Sequence, residues 1–248
     1  GPATVFHHTP SPYGIPYRCL YSRNIANLFF AGRNISATHM ALSSTRVMAT
    51  CALIGQAVGT AAALAVRHSC SPREVGRSHL RELQGALMDD DAYLPGFTRP
   101  IPALSRSARL EATSGAPEPL RSGIDRVIGP DDNGWWAAPN ESVTYTFPAP
   151  VMISRVRLVF DSDQADPKRM PCWYPRAGTS VEMPPMLPRA YAIEAQDPSG
   201  RWQRLHQVEN NCLRLVTLPA QAEARAVRFV SLAAWGGGQA HVMAFEAA

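Results

Sequence analysis

The chain has 248 residues, of which 46% are hydrophobic, so it is long enough for one large or two modest domains and is not disordered. The formal net charge is +4, but the charge is uneven: residues 1–104 carry nine arginines against five acids, whereas residues 105–248 are balanced. No run of basic residues occurs, so nucleic acid is excluded as a partner.

The five cysteines form no CxxC pair and have no metal-ligand spacing, so the sequence predicts no metal site. An odd number leaves at least one thiol free, and reduced, buried thiols are favoured over a disulfide framework. The opening residues lack the charged and apolar regions of a secretory signal peptide, and the sequence assigns no compartment.

The first third of the chain predicts a strand, a polar loop and a long helix. SPYGIPYR, residues 11–18, favours extended or turn backbone because of its prolines and glycine. A short strand is predicted at NLFFAG, residues 27–32. After a polar loop, the segment from about Arg46 to Arg67 contains no proline and is rich in Ala, Leu, Met and Val, which predicts a helix.

This helix is unusually apolar. Ala49 to Val66 is 18 residues without a charge, the threshold for a membrane span, and Gly55 and Gly59 form a GxxxG pattern. Polar residues and many alanines dilute it, so we expect no membrane span but a helix packed closely on a sheet. A strand ending in glycine, a polar loop and then a central helix is how α/β proteins build an anion or cofactor pocket.

A second, amphipathic helix is predicted in residues 70–91, with Ser71 as N-cap, Pro72 at the first helical position and Glu74 completing a capping box. Its apolar face contains Val75, Leu80, Leu83 and Leu87.

Composition changes after Leu94, where five prolines in residues 94–119 indicate a linker. We assign residues 1–98 to the first unit, 99–107 to the linker and 108–248 to a second domain. In that domain the hydrophobic period becomes two, and short β-branched or aromatic segments predict an antiparallel sandwich. The predicted strands are ESVTYTF, ISRVRLVF, AYAIEAQD, RWQRLHQV, LRLVTL, AVRFVSL and HVMAFEA. The fold class predicted for the whole chain is α+β.

The blocks IPYR, AGRNISATH and STRVMATCALIGQAVGTAAAL resemble, in order, the C-terminal flavin-contacting segment of FAD-dependent oxidoreductases. The resemblance covers roughly residues 10–98. In that family a GxGxxG motif lies near the N-terminus of a much longer chain, and no GxGxxG occurs in this sequence. We therefore expect a C-terminal part of a flavoenzyme, either a fragment or one half of a split protein, that is inactive by itself. Its partners would be a small-molecule substrate and the missing FAD-binding part.

The resemblance implies a cofactor site around the polar loop. Gly32 and Arg33 would lie where the backbone passes close to the ribityl and pyrophosphate part of FAD, since glycine permits close approach. The first helical turn beside the flavin ring would contain Thr45, Arg46, Val47 and Met48.

Three further residues are candidates for contact with substrate. His39 is expected in the loop, where a catalytic role and a structural hydrogen bond are equally favoured. Tyr17 and Arg18 of IPYR can reach a substrate, but a structural turn in which the arginine caps carbonyls has equal weight.

The strand-rich half resembles discoidin-like or galactose-binding-like jelly rolls through its ARLEATS, GID, WW and SVTYTFPAPVMISRVRL segments. The tryptophan pair Trp135–Trp136 and the loop Asp131–Asp132 are interpreted as core and solvated residues, with a sugar platform or cation site as the alternative. The second function hypothesis is therefore a carbohydrate-binding or interaction module whose N-terminal segment is a structural adaptor, with a ligand related to carbohydrate.

Overall fold

The computed structural model describes residues 12–163 and 183–248. The chain divides into two compact units, Gly1–Arg99 and Pro100–Ala248. The helices are α1 (His39–Thr45), α2 (Met48–Arg67), α3 (Pro72–Ser78), α4 (Leu80–Asp89) and α5 (Ala103–Ser107). The strands are β1 (Arg109–Ala112), β2 (Trp135–Ala137), β3 (Ser142–Phe160), β4 (Pro188–Gln196), β5 (Trp202–Val208), β6 (Leu215–Ala234) and β7 (Ala240–Ala247). Helices followed by an antiparallel sheet confirm the predicted α+β class.

The core of the first unit is small. One cluster joins the C-terminal half of α2 to α3 and α4 through Ala61, Leu64, Ala65, Val75, Leu83 and Leu87. A second cluster joins the middle of α2 to the turns before it through Leu20, Ile35 and Ile54. These two clusters hold one side of α2.

The amphipathic helix begins as predicted but is divided in two. The Ser71 hydroxyl accepts a hydrogen bond from the Glu74 N–H, and Pro72 is the first residue of α3. The Glu74 carboxylate accepts from the Ser78 hydroxyl rather than bonding back to the cap. At His79 the backbone leaves the helical region, with φ −124° and ψ 15°, so α3 ends there and α4 starts one residue later.

The strand predicted at residues 27–32 is wrong. Phe29 forms one isolated bridge with Tyr21, and Gly32–Asn34 is a single 3₁₀ turn. Backbone bonds tie Ser22 to Leu28 and Phe30 to Leu20. A β-strand needs a neighbouring strand along its whole length for its ladder of hydrogen bonds, and residues 12–99 of the structure provide only this one bridge.

The junction before α2 also differs from the prediction. His39 is not in a loop but is the first residue of α1, whose N-cap Thr38 accepts from the Ala41 N–H. Thr45 is the last residue of α1 and Arg46 is its C-cap. Val47 is extended, with φ −67° and ψ 143°, and is the N-cap of α2. The apolar composition predicted the helix, but nothing in its periodicity marked the break.

Helix α2 is less buried than a central helix. Only Ile54, Ala61, Leu64 and Ala65 are buried, whereas Met48 is 85% exposed and Val66 is 81% exposed. By length and composition, Met48–Arg67 is apolar enough to cross a membrane, with a mean hydropathy of 1.7. It is a single such helix among the described residues, which is weak evidence of a membrane span.

The second unit is a folded-over sheet with the order β2-β7-β3-β6-β4-β5, in which β1 also pairs with β3. The sequence predicted two strands in place of β3 and two in place of β6. Each is instead one long strand, and the two pair along their length with register shifts between Thr146 and Val151 and between Ile153 and Arg155. Such irregularities increase bending and twist, and here they divide the ladder into two layers.

The two layers share strands. At residues 143–146 β3 lies between β1 and β6, and at residues 156–160 it lies between β7 and β6. Aromatic contacts join the layers: Tyr145 meets Phe245 at 5.2 Å and Phe160 meets Tyr191 at 5.2 Å between ring centroids. Burial alternates in the first part of β3, at Val143, Tyr145 and Phe147, as the period-two pattern predicted, whereas residues 156–160 are all buried.

We predict that residues 100–248, produced alone, unfold cooperatively, whereas residues 1–99 alone self-associate. The sandwich contains its own core, but the exposed apolar side of α2 stays uncovered in the shorter piece. Thermal circular dichroism and size-exclusion chromatography of the two pieces are the measurements. A monomeric, cooperatively melting 1–99 would contradict the account.

Candidate functional site

The start of α2 is an open, uncapped helix end. Within residues 12–163 and 183–248 no side chain accepts a hydrogen bond from its first N–H groups, and the first backbone bond of the helix runs from the Cys51 N–H to the Val47 carbonyl. Val47 is 53% exposed and Met48 is 85% exposed. The end of a 20-residue helix therefore presents free donors, its positive dipole end and two apolar side chains to the surroundings.

Two exposed arginines, an exposed histidine and a glycine turn precede this helix in the chain. Gly32 has φ +78°, which glycine adopts without strain, and no protein atom lies within 4 Å of the position that a Cβ would take. The side chains of Arg33, His39 and Arg46 are exposed, and among residues 12–163 and 183–248 they have no hydrogen-bond or ion-pair partner. Such groups are available to an anionic ligand.

Thr45 differs from the other residues predicted at the cofactor. It is 4% exposed, and its hydroxyl donates to the Ala41 carbonyl at 3.2 Å, within α1. The thiol of Cys51 contacts the Thr45 carbonyl at 3.5 Å. Thr45 therefore joins α1 to the first turn of α2, a structural position.

Tyr17 and Arg18 line a separate cleft of about 500 Å³ with Tyr21, Arg73 and Arg77. This cleft does not include the residues that were predicted to bind the cofactor. An adjacent cleft of about 410 Å³ does reach the start of α2, because Ser44, Thr50 and Leu53 line it. Tyr17 and Arg18 therefore line the same cleft, but this cleft is not the one that reaches the start of α2.

Tyr17 is held by packing. Its hydroxyl donates to the Pro72 carbonyl at 2.7 Å, and its ring lies so close to Gly76 that a Cβ there would be 2.6 Å from the ring. Burial, with the nearby Tyr21 and Cys70, raises the pKa of Tyr17 above its ordinary value. Its hydroxyl is therefore a neutral donor that anchors α3, whereas Arg18 is exposed at the rim of the cleft.

In the sandwich, the two neighbouring tryptophans have different environments. Trp135 is 2% exposed and donates to the Ser114 carbonyl, so it belongs to the core as interpreted. Trp136 is 40% exposed, and its Nε1 donates to Asp132 at 2.8 Å. Its ring is stacked on His241 at 4.0 Å with an interplanar angle of 8°.

His241 lies between two carboxylates. It is 1% exposed, and its Nδ1 donates to Asp161 at 2.8 Å. Its Nε2 lies 2.6 Å from Asp132 as an ion-pair contact without hydrogen-bond geometry. A Cβ at Gly134 would be 2.2 Å from Nε2, so the loop approaches the ring as closely as glycine allows. The sequence offered no signal for this cluster, since its members are up to 109 residues apart.

The electrostatics of Asp161 favour its ionised form. Burial opposes ionisation, but the hydrogen bonds from His241 and from the Asp163 N–H, with the charges of His241 and Arg214, hold the pKa of Asp161 below its ordinary value. The carboxylate therefore joins β7 to the end of β3 as an anion.

A second charged cluster lies on β4, β5 and β6. Glu194 accepts from Arg228 at 2.8 Å and from Arg204 at 3.1 Å. The Arg228 guanidinium lies 4.1 Å from the ring centroid of Trp202. These partners satisfy one another, so the cluster is explained as cross-strand stabilisation.

A protein-family model matches most of the first unit. Residues 2–87 match the sequence model of the family described as FAD dependent oxidoreductase. No curated protein matches the chain.

Solved structures resemble the chain in fold. The family 32 carbohydrate-binding module of Streptococcus pneumoniae EndoD is 14% identical, with 58% of this chain and 97% of that chain covered and a TM-score of 0.44. The family 32 module of Clostridium perfringens NanJ, in complex with galactose, is 14% identical over 58% and 95%, with a TM-score of 0.40. A chitosan-binding module from a Paenibacillus chitosanase/glucanase, in complex with chitotriose, is 14% identical over 58% and 98%, with a TM-score of 0.42.

We predict that Asp161→Asn lowers the free energy of unfolding at pH 7 by about 1–3 kcal/mol, because the variant leaves a buried histidine nitrogen without its anionic partner. The folded-state pKa of Asp161 is lowered, so its stabilisation is present above the unfolded value of about 3.9 and is lost as pH falls through the folded value. Urea unfolding of both proteins from pH 7 to pH 3 should show the difference shrinking below about pH 4.

Asp132→Asn is the matched control. Asp132 contacts the other nitrogen of the same ring, but its side chain is 50% exposed, so a smaller loss is expected. Equal losses in the two variants, or a loss from Asp161→Asn that does not change with pH, would contradict the assignment.

Proposed function

We propose that the first unit is the C-terminal segment of an FAD-dependent oxidoreductase that acts on a small-molecule substrate. The observation that supports this most is the match of residues 2–87 to the family. The geometry at the start of α2 fits the cofactor, because exposed N–H donors and exposed arginines suit an electron-rich ring and a pyrophosphate.

We assign a different role in FAD binding to each of the described residues at this site. Gly32 supplies a turn with no side chain between backbone and ligand, and Arg33 supplies a positive charge beside it. Val47 and Met48 provide apolar contact, and the helix end below them provides donors. When bound, FAD accepts a hydride or an electron pair from the substrate.

Two residues would act toward substrate. His39 is exposed at the start of α1, where its imidazole is accessible to a substrate. Arg18, at the rim of the larger cleft, can bind an anionic group of the substrate. Thr45 and Tyr17 are assigned to positioning because their hydroxyls are already bonded to backbone carbonyls.

The test is FAD retention by the chain when it is produced together with the remaining part of the flavin domain. We expect a yellow complex with one FAD per chain and much weaker retention by residues 1–248 alone, because no GxGxxG motif is present here. A complete protein that folds but takes up no flavin would contradict the proposal.

In that flavin-loaded protein, Arg46→Ala should lower the two-electron reduction potential. Arg46 lies two residues before α2, and a positive charge there favours the more negative, reduced state of FAD. An exposed pair of opposite charges is worth about 0.2–1 kcal/mol, which corresponds to about 4–20 mV for a two-electron couple. Dye-equilibration titration measures the shift.

Arg225→Ala removes the same charge from an exposed position in the sandwich and should leave the potential unchanged. If Arg46→Ala destabilises the fold but the remaining flavin-loaded protein keeps its potential, the electrostatic assignment of Arg46 is wrong.

A second candidate function is carbohydrate binding by the sandwich, and Trp136 favours it. Its indole is partly exposed and is held rigid by Asp132 on its nitrogen and by His241 against its ring. A fixed aromatic face with a carboxylate beside it suits the apolar face and hydroxyl groups of a sugar.

Titration with galactose and with chitotriose, followed by tryptophan fluorescence, tests this candidate. Binding that Trp136→Ala abolishes and that Trp202→Ala leaves intact would support it, since Trp202 is similarly exposed but is covered by Arg228. Absence of saturable binding to either sugar would leave Trp136 with the structural role of covering His241.

A further inference from the structure

We infer that His68, His79 and Glu82 form a binding site for a divalent first-row transition metal, with Zn²⁺ as the probe. Donor atoms of all three side chains lie within 4.8 Å of one another. The site lies in the first unit, at the C-terminal end of α2 and the N-terminal end of α4. It is independent of the proposed flavin site at the opposite end of α2.

The distances are close to those of a coordination sphere. Glu82 Oε2 lies 2.8 Å from His68 Nε2 and 3.5 Å from His79 Nδ1. Ligand atoms about 2.0–2.2 Å from a tetrahedral Zn²⁺ are separated by about 3.3–3.5 Å from one another. Binding of one ion between the carboxylate and the two imidazoles requires the stacked rings to rotate until both nitrogen lone pairs point at it.

The backbone brings the two histidines together. His68 is the C-cap of α2, where the chain turns sharply through Ser69 with φ +49°. His79 is the residue between α3 and α4, and its backbone is not helical. Its side chain therefore leaves the backbone in a different direction from that of a residue inside a continuous helix. The two rings are stacked with centroids 3.8 Å apart and an interplanar angle of 11°.

The donor set indicates the class of metal. Two imidazoles and one carboxylate suit Zn²⁺, Co²⁺, Ni²⁺ or Cu²⁺, whereas Mg²⁺ and Ca²⁺ prefer oxygen donors only. Arg67 Nη1 contacts the other Glu82 oxygen, Oε1, at 3.2 Å, so it orients the carboxylate while Oε2 faces the histidines. Side-chain exposures of 25–40% leave room for water to complete the coordination sphere.

The competing explanation is a structural ion pair, in which a protonated His68 donates to Glu82. That explanation accounts for the 2.8 Å contact, and the i,i+3 spacing of His79 and Glu82 brings Nδ1 to 3.5 Å from the same oxygen atom, so the two explanations are separated by whether the cluster binds a metal ion. Metal binding accounts for both contacts with one ion.

The test is isothermal titration of the full chain with Zn²⁺, in a background of His7→Ala and His8→Ala, because those neighbouring histidines offer an unrelated pair of ligands. We expect one Zn²⁺ per chain. His79→Ala and Glu82→Gln should each weaken binding at least tenfold, whereas the controls Glu74→Gln and His206→Ala should not change it. Circular dichroism checks that each variant is folded. If His79→Ala or Glu82→Gln does not fold, His68→Gln is tested in its place and should weaken binding by the same factor.

Co²⁺ provides a second readout, because its absorption spectrum reports the ligands. Four-coordinate bands without thiolate charge-transfer absorption are expected from nitrogen and oxygen donors. Strong thiolate absorption would assign the metal to cysteines instead. No saturable Zn²⁺ binding, or binding that survives both His79→Ala and Glu82→Gln, would overturn the proposal.

Discussion

The exposed apolar surface of α2 is the constraint on which the rest of the first unit depends. The helix has no charged residue before Arg67, yet the described part of the first unit buries only four of its 20 residues. At about 25 cal/mol per Å² of apolar surface, an exposed face of this kind favours association over solvation. Residues 2–87 match the family model described as FAD dependent oxidoreductase. Under the function proposed above, the remaining part of the flavin domain would cover the exposed face of α2, and the cofactor would bind at its open end.

The sandwich obeys a different constraint, the folding of one long ladder into two layers. Strands β3 and β6 each contribute to both layers. The register shifts between them lie where the two strands bend from one layer into the other. Aromatic side chains then fill the space between, and Asp161 and His241 join the end of β3 to β7. This unit has its own core and needs no partner to close it, in contrast to α2.

The sequence predicted helices where composition or capping decides and failed where distant neighbours decide. Ser71 and Pro72 marked a helix start because capping is local. NLFFAG was predicted as a strand because its residues favour one, but strand formation requires pairing that residues 12–99 do not provide. Hydrophobic periodicity did not predict the helix break at Arg46 and Val47 or the one at His79. The segments on both sides of each break are good helix formers. His241 is brought to its two aspartates by the fold, and His68 is brought in the same way to His79 and Glu82, which are themselves neighbours at i,i+3.

Hydrogen–deuterium exchange of α2 tests the central claim most directly, because exchange reports how firmly a helix is held. The amides of the first half of α2 should exchange quickly in the chain alone, and they should become strongly protected when the remaining flavin domain and FAD are present. The amides of β3 and β6 should be unchanged. Equal protection of α2 in both states would contradict the view that this helix completes a flavin-binding domain.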